Sequence, residues 1–518
     1  MFSMVIRERE LFIKKEAILM RKRMCPYFKN KEGIIMRFLT KSLYMSGQQC
    51  PRLLWFSSRN QLPELSLYDQ HKFAQGRDFE KYVKKLFPDG LDLGNLNYGE
   101  NIKETQNLIR QSKTIFEACM VYKNLFFKGD ILEPSADGWN LYEMKASTEV
   151  KKKKEYIPDL AFQKYICEKN GIKIINCFIE YINKDYIKQG NISPNELVLQ
   201  EDVTGEVNQI DDIEENSEKY IETMEQAKPP EVSISKKCNR PYECPLKDEC
   251  RSNLPEYHVL QLTNWRKYWE LFEEGILDIK DIPKDEIFSS NKDRVIKEAV
   301  DGNRIIINKD KIRCFLKELQ YPFYYLDFET FDTAIPIFDQ SRPYQKISFQ
   351  YSLHVQDENN KVKHFDFLAQ REKDPRPELL VRLEKEIGQS GSVIVFNKTF
   401  EIGVLNKLAE DFPKYESFIT HTIDRIIDLA EPFKNYDYYN PIQKGRYSLK
   451  AVLPAITGKD YSDLEIDNGT DASMKYFYSH IKADLKNVDE IRNNLLKYCG
   501  LDTEGMIWII EELNRMVS

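Results

Sequence analysis

Apolar positions along the chain fall into three blocks of different periodicity. Between residues 36 and 251 they alternate between helical and strand spacing. A helix-like run over 71–86 ends at Pro88-Asp89-Gly90, and strands are expected at 115–122 and 125–132, joined at Lys123-Asn124. A third strand is expected at 141–145, behind the Asp137-Gly138 turn, then a helix over 159–169 that stops near Gly171, and strand character resumes at 172–182. Residues 201–219 are acidic and poor in aromatics, and read as an exposed loop or insertion. From 252 to 320 the pattern is helical: Trp265, Tyr268, Trp269 and Phe272 recur at helical spacing, which favours a core stripe over a base-stacking platform. This block is expected to be a connector. The last block, 321–518, opens on the strand Phe323-Tyr324-Tyr325-Leu326-Asp327-Phe328-Glu329, continues with strands at 347–355, 363–368 and 393–396, and is otherwise mostly helical, the pattern of an α/β sheet domain.

Composition narrows the class. A chain of 518 residues with 42% hydrophobic content holds enough apolar material for two or three cores. No stretch approaches the roughly 20 apolar residues that span a bilayer, so no membrane role is expected. The first 35 residues are basic but lack the long apolar region and cleavage site of a secretory signal, which makes the cytoplasm the expected location. They also differ in character from the sequence that begins at Met36, and residues 1–35 are expected to be a non-native or disordered extension. The net charge of -7 argues against a sequence-independent DNA coat, which relies on basic excess to displace counterions. A local groove can still be basic. Residues 151–154, all lysine, are a candidate for it, with a solvated lysine face as the alternative. Of the ten cysteines, Cys119, Cys167 and Cys177 lie within apolar patterns and are expected in the core. Cys238, Cys244 and Cys250 stand apart.

Two groups of residues carry chemistry. On a strand, positions i and i+2 face the same way, so Asp327 and Glu329 project together. Tyr498 and Asp502, four apart on an expected helix over 491–512, share one helix face. Glu401 falls in the first turn of a helix after the strand ending at Phe396. If the three places converge, four carboxylates can hold two Mg²⁺ or Mn²⁺ ions, with Tyr498 orienting a water. The second group lies in the meander, where Asp130 on one strand and Glu143 on the next would bind one divalent metal, and Lys145, on the same strand face as Glu143, would polarise the attacking water or steady the pentavalent phosphate. A surface salt-bridge cluster is the bland alternative for the second group, an inactive scaffold for the first.

Three resemblances follow from these residues. Asp327-x-Glu329, Asn397-x3-Glu401 and Tyr498-x3-Asp502 resemble, in order and interval, the DnaQ-like (DEDD) exonucleases of the tyrosine subtype, built on an RNase H-like sheet; Glu401 stands where that family usually has aspartate. Asp428 and the segment Gly445-Arg446-Tyr447-Ser448-Leu449-Lys450 fit it in supporting roles. Gly129-Asp130, Glu143-x-Lys145 and Asp159-x3-Gln163 resemble the RecB-like branch of the PD-(D/E)XK nucleases, in which the glutamine contacts the site. Glu80 then occupies the place of a metal-binding histidine, and Cys167 that of a tyrosine. Cys50 before this core and Cys238, Cys244 and Cys250 after it are similar to the iron-sulfur members of that branch, which include AddB and the CRISPR-associated adaptation exonucleases. That likeness implies a [4Fe-4S] cluster, with Zn²⁺ or unliganded thiols as alternatives.

Together these imply an α/β multidomain protein of a bacterial family fusing an iron-sulfur PD-(D/E)XK nuclease (36–251) through a helical connector (252–320) to an RNase H-like exonuclease (321–518). Its expected activity is metal-dependent hydrolysis of nucleic acid, DNA over RNA, in repair or in defence against foreign DNA. An RNA-trimming 3′-5′ exonuclease and an inactive nucleic-acid-binding scaffold are the alternatives.

Overall fold

The computed structural model describes residues 27–29, 35–149, 153–240 and 242–518. Most of the 1–35 extension and the side chains of lysines 151–154 lie outside the described residues. The chain is mixed α/β and divides into two units, the first comprising Met1–Ser252 with Ala334–Tyr344, the second Asn253–Thr333 with Gln345–Ser518. No helix among the described residues is long and apolar enough to cross a membrane.

The first unit is organised on a seven-stranded sheet. Its strands are β1 (Leu39–Thr40), β2 (Leu91–Asp92), β3 (Ile115–Tyr122), β4 (Leu125–Ser135), β5 (Gly138–Lys145), β6 (Ile174–Ile182) and β7 (Val198–Asp202). Strands β2 to β7 follow one another across the sheet, and β1 pairs with β4. The β3–β4–β5 meander is antiparallel, whereas β5 and β6 are parallel and are joined through helix α3 (Lys153–Lys169). Apolar residues on the two sheet faces bury separately. One core gathers Leu39, Tyr44, Phe127, Phe162 and Ile179 beneath α1 (Lys41–Gln49) and α3; the other gathers Ile131, Tyr142 and Ile182 with Phe79 and Val83 of α2 (Leu67–Val83). Cys119, Cys167 and Cys177 are buried, as their patterns predict. Within this unit the Tyr344 hydroxyl donates to the Ala146 carbonyl at 2.6 Å.

The acidic stretch at 201–219 departs from expectation. It holds two helices, Thr204–Val207 and Ile213–Glu225, and Val203, Val207, Ile213, Tyr220 and Met224 enter the first core. Its apolar positions are few, but Ile213, Tyr220 and Met224 share one helical face, and that face suffices to dock an otherwise solvated helix.

The second unit has a five-stranded sheet of β8 (Phe323–Phe331), β9 (Ile347–Gln356), β10 (Val362–Leu368), β11 (Val393–Val395) and β12 (Ile426–Asp428), in the order β10-β9-β8-β11-β12. The first three strands are antiparallel and the last two run parallel to β8. Helices α4 (Lys398–Asp411), α5 (Leu449–Thr457) and α6 (Val488–Val517) accompany the sheet. Helices from 253 onward belong to this unit: Val259, Leu271, Ile296 and Val300 pack with Tyr436 and Tyr439 in one core. Of the aromatic stripe, Trp269 is buried, Tyr268 and Phe272 pack against that core, and Trp265 is exposed.

Entry into β11 depends on Gly391, whose φ of +92° is left-handed and whose missing Cβ leaves room for the backbone of Pro322. Gly391→Ala therefore meets both a conformational penalty and a backbone collision. We expect it to lower stability by about 2 kcal/mol or more, measured as a loss in the denaturation midpoint.

Candidate functional sites

In the second unit the acids converge where the sheet opens. β11 pairs with β8 only at Tyr324 and Tyr325, then turns through Asn397, with φ of +82°, into α4. Beyond that point the β8 edge is free to present Asp327 and Glu329, and a register irregularity between Glu329 and Thr330 re-aims the strand end. Helix α6 crosses β9, held by the Gln350 amide donating to the Leu495 carbonyl at 2.8 Å and by the Ser352 and Thr503 hydroxyls 2.6 Å apart. This sets Asp502 opposite the strand acids. Oxygens of Asp327, Glu329 and Asp502 lie within 4.8 Å of one another, the one such group of three among the described residues. Glu401, in the first turn of α4, is 2% exposed and accepts the backbone N–H of Phe328, between the two strand acids, while its Oε2 is buried without a partner.

The electrostatics of this site are one-sided. Burial and mutual repulsion raise Asp327, Glu329 and Glu401 well above the usual carboxyl range, and burial pushes Asp502 up to about 6 although the Tyr461 and Tyr498 phenols bond it. The Tyr461 hydroxyl donates to Asp502 Oδ1 at 2.5 Å. Lys450, on α5, is the cation that faces Asp502, Glu329 and Asp327; its ammonium sits 4.8 Å from the Tyr498 ring centre and 5.2 Å from that of Tyr461, and burial pulls its pKa down. Asp428 takes another part: it accepts the backbone N–H of Asn397 at 2.9 Å and of Ala430 at 3.0 Å, fixing the turn that aims α4.

In the first unit the β4–β5 ladder ends at Ile131 and Tyr142. Past it, Asp130 accepts the Met144 N–H at 2.7 Å through its side chain. Glu143 is the centre of the group. It receives Lys145 Nζ at 2.8 Å, Lys41 Nζ at 3.0 Å on both oxygens, and Gln163 Nε2 at 2.7 Å. Lys145 also reaches Asp159 at 3.3 Å, and Gln163 Nε2 reaches the same residue at 3.0 Å. Burial would raise Glu143, but Lys145 and Lys41 outweigh it and hold the carboxyl low; burial and Glu143 push Asp130 up to about 8. Gln163 Oε1 is buried without a donor, above Gly129, where a Cβ would come within 3.1 Å of it. Glu80 stands beside Glu117 and Lys84, and it does not join Asp130 and Glu143 in a group as tight as the C-terminal one.

The four cysteines line one cavity of about 380 Å³. Cys50 caps α1, Cys244 N–H donates to the Cys238 carbonyl at 2.8 Å, and Arg52, Lys237 and Lys247 share the lining. Burial lifts Cys244 up to about 11, with Cys50, Cys238 and Cys250 adding to it. No three of them come within 4.8 Å.

Lys41 and Tyr461 are not marked by the sequence: Lys41 follows a two-residue strand and opens a helix, and Tyr461 sits in an aperiodic loop, so neither carries a spacing signal. Lys450, in the first turn of α5, belongs to the segment 445–450 expected in a supporting role, but nothing in its spacing separates it from a surface lysine.

A family model described as a domain of unknown function (DUF2779) matches residues 324–448. Curated relatives include the uncharacterized protein UU173 of Ureaplasma parvum, 27% identical over 46% of this chain and 38% of its own length. A second is the MG366 homolog of Mycoplasma pneumoniae, also uncharacterized, 27% identical over 42% of this chain and 36% of its own. The chain thus spans under two fifths of the length of these relatives.

Raised carboxyl pKa values have a stability signature. Asp502 holds its proton more tightly folded than unfolded, so its contribution is present below the ordinary value of 3.8 and is lost as pH rises through about 6. In chelator, calorimetry of Asp502→Asn should show a melting temperature that overtakes wild type as pH passes that value.

Proposed function

We propose that the protein is a metal-dependent nuclease with two phosphodiester-hydrolysing sites, an RNase H-like, DnaQ-type site in the second unit and a RecB-like PD-(D/E)XK site in the first. The carrying observation is the convergence of Asp327, Glu329 and Asp502, which face Lys450, with Glu401 behind them. The sheet order, with an antiparallel triple followed by two parallel strands, and an acid-bearing central strand, supports the RNase H-like reading.

Hard oxygen donors in this number suit Mg²⁺ or Mn²⁺, and the orphaned Glu401 Oε2 is an acceptor whose partner a cation would provide. Bound there, divalent cations would supply the positive charge that the attacking and leaving oxygens of a phosphodiester need. The chain's own groups do the rest. Tyr498 directs its phenol toward Asp502, where it would orient a water, and Lys450, held by the Asp467 carbonyl, would bring a positive charge to the phosphate.

In the first unit Asp130 and Glu143 are the metal-holding pair, and Gln163 Oε1 faces the same space. Lys41 and Lys145 flank Glu143 and would stay charged, serving the phosphate's developing negative charge. The thiol cavity fits a polynuclear cluster better than zinc. A tetrahedral zinc site with Zn–S near 2.3 Å draws its sulfurs to about 3.8 Å, closer than any three of these come. Arg52, Lys237 and Lys247 would offset an anionic [4Fe-4S] core.

Degradation of end-labelled single-stranded DNA in Mn²⁺ tests the reading. Asp327→Ala and the pair Glu143→Ala with Lys145→Ala should each remove one activity, and together reduce the rate about 100-fold or more. Unchanged rates in the combined variant refute the proposal. Anaerobically purified protein should carry about four irons and four sulfides per chain, reduced sharply by Cys244→Ala; stoichiometric zinc instead would overturn the cluster assignment.

A further inference from the structure

The segment Lys236-Lys237-Cys238-Asn239-Arg240-Pro241-Tyr242-Glu243-Cys244 does more than carry two thiols. Between the thiols it displays Tyr242, a residue 62% exposed although it is held at its backbone. The Gln49 amide, at the end of α1, donates to the carbonyls of Tyr242 at 2.8 Å and Lys237 at 3.0 Å, and the Cys244 N–H closes the turn on Cys238. An aromatic ring kept in water by a braced loop is not there to fill a core.

Its surroundings are the first unit's acid and lysine group. Tyr242 faces Tyr156, Lys145, Glu155 and Asp159, and Lys145 itself lies 5.2 Å from the Tyr156 ring centre. On the same loop Lys236, Lys237 and Arg240 are exposed. A flat ring next to the reacting groups, with three cations along the segment that bears it, is the combination that grips single-stranded nucleic acid: base stacking on the ring, phosphates along the cations.

We propose that the thiol loop is the substrate grip of the first site, with Tyr242 stacking on a base adjoining the scissile phosphate and Lys236, Lys237 and Arg240 steering the backbone. This rests on the nuclease reading above. It gives the thiols a further consequence: whatever fixes Cys238 and Cys244 also fixes the ring between them. Tyr242 is a positioning residue for substrate and takes no part in proton transfer.

The test uses the full chain in Ca²⁺ with a single-stranded oligodeoxythymidylate carrying one 5-iodouracil, irradiated and mapped by mass spectrometry, alongside affinity by fluorescence anisotropy. The crosslink should fall on the peptide holding Tyr242, survive in Tyr242→Phe and vanish in Tyr242→Ala. Affinity for the ordinary oligonucleotide should drop about tenfold in Tyr242→Ala and stay unchanged for an abasic oligonucleotide of equal length. Crosslinks that map only elsewhere, or equal losses on both probes, overturn the grip while leaving the nuclease reading intact. A wild-type chain that binds and crosslinks neither probe overturns both. Unchanged thermal unfolding of Tyr242→Ala separates lost stacking from lost structure.

Discussion

Carboxylates can be buried together only if protons or cations are buried with them, and the two candidate sites meet that constraint in opposite ways. In the first unit, Lys41 and Lys145 stand among Asp130, Glu143 and Asp159, and the group comes near balance from the chain's own charges. In the second, Asp327, Glu329 and Asp502 face Lys450, whose own charge is disfavoured by burial, and Glu401 lies behind them with no cation of its own among the described residues. Such a group is a poor device for stability, because apolar side chains of similar volume would fill the space at lower cost. On the nuclease reading proposed above, an external cation would offset this unbalanced charge.

Both scaffolds place their acids by ending a ladder. A strand within a sheet spends its backbone polar groups on neighbours, and its side chains on the layers above and below. Where pairing stops, side chains gain access to space that no layer fills. Asp130 exploits this literally, its carboxylate accepting the Met144 N–H just past the last backbone pair. Asp327 and Glu329 exploit it by overrunning the pairing with β11, which ends at Tyr325, two residues before Asp327 and four before Glu329, and Asp428 secures the turn that makes β11 short. The free energy that fixes these acids comes from cores such as Phe127 with Phe162 and Ile179, away from the charges themselves.

What could be read from the sequence follows the same division. Elements with strong period were legible: the strand expected at 115–122 spans Ile115–Tyr122, and the long final helix contains Tyr498 and Asp502 on one face as spacing requires. Acids were legible because their spacing on regular elements carries direction. Partners that arrive from elsewhere in the chain were not. Lys41 reaches Glu143 across 102 positions and Tyr461 reaches Asp502 across 41, and nothing local marks either. The acidic stretch at 201–219 misled for a different reason: composition speaks to the exposed majority of a helix, whereas Ile213, Tyr220 and Met224 alone decide that it docks.

Helix α1 ties the chemistry of the first unit to its thiols. Its nine residues span about 14 Å at 1.5 Å per residue, with Lys41 at the start against Glu143 and Cys50 immediately after the end in the thiol cavity. Gln49, one residue before Cys50, clasps the loop that returns Tyr242 to Lys145 and Asp159. A rigid rod fixed at both ends transmits position: a shift of the thiol end moves Lys41 along the helix axis, and a salt bridge of 3.0 Å tolerates little of it. A disturbance at the thiols should thus act at Lys41 and at the loop together. On the nuclease reading proposed above, the cysteine cavity would then bear on the geometry around Glu143 as well as staple the ends of the unit.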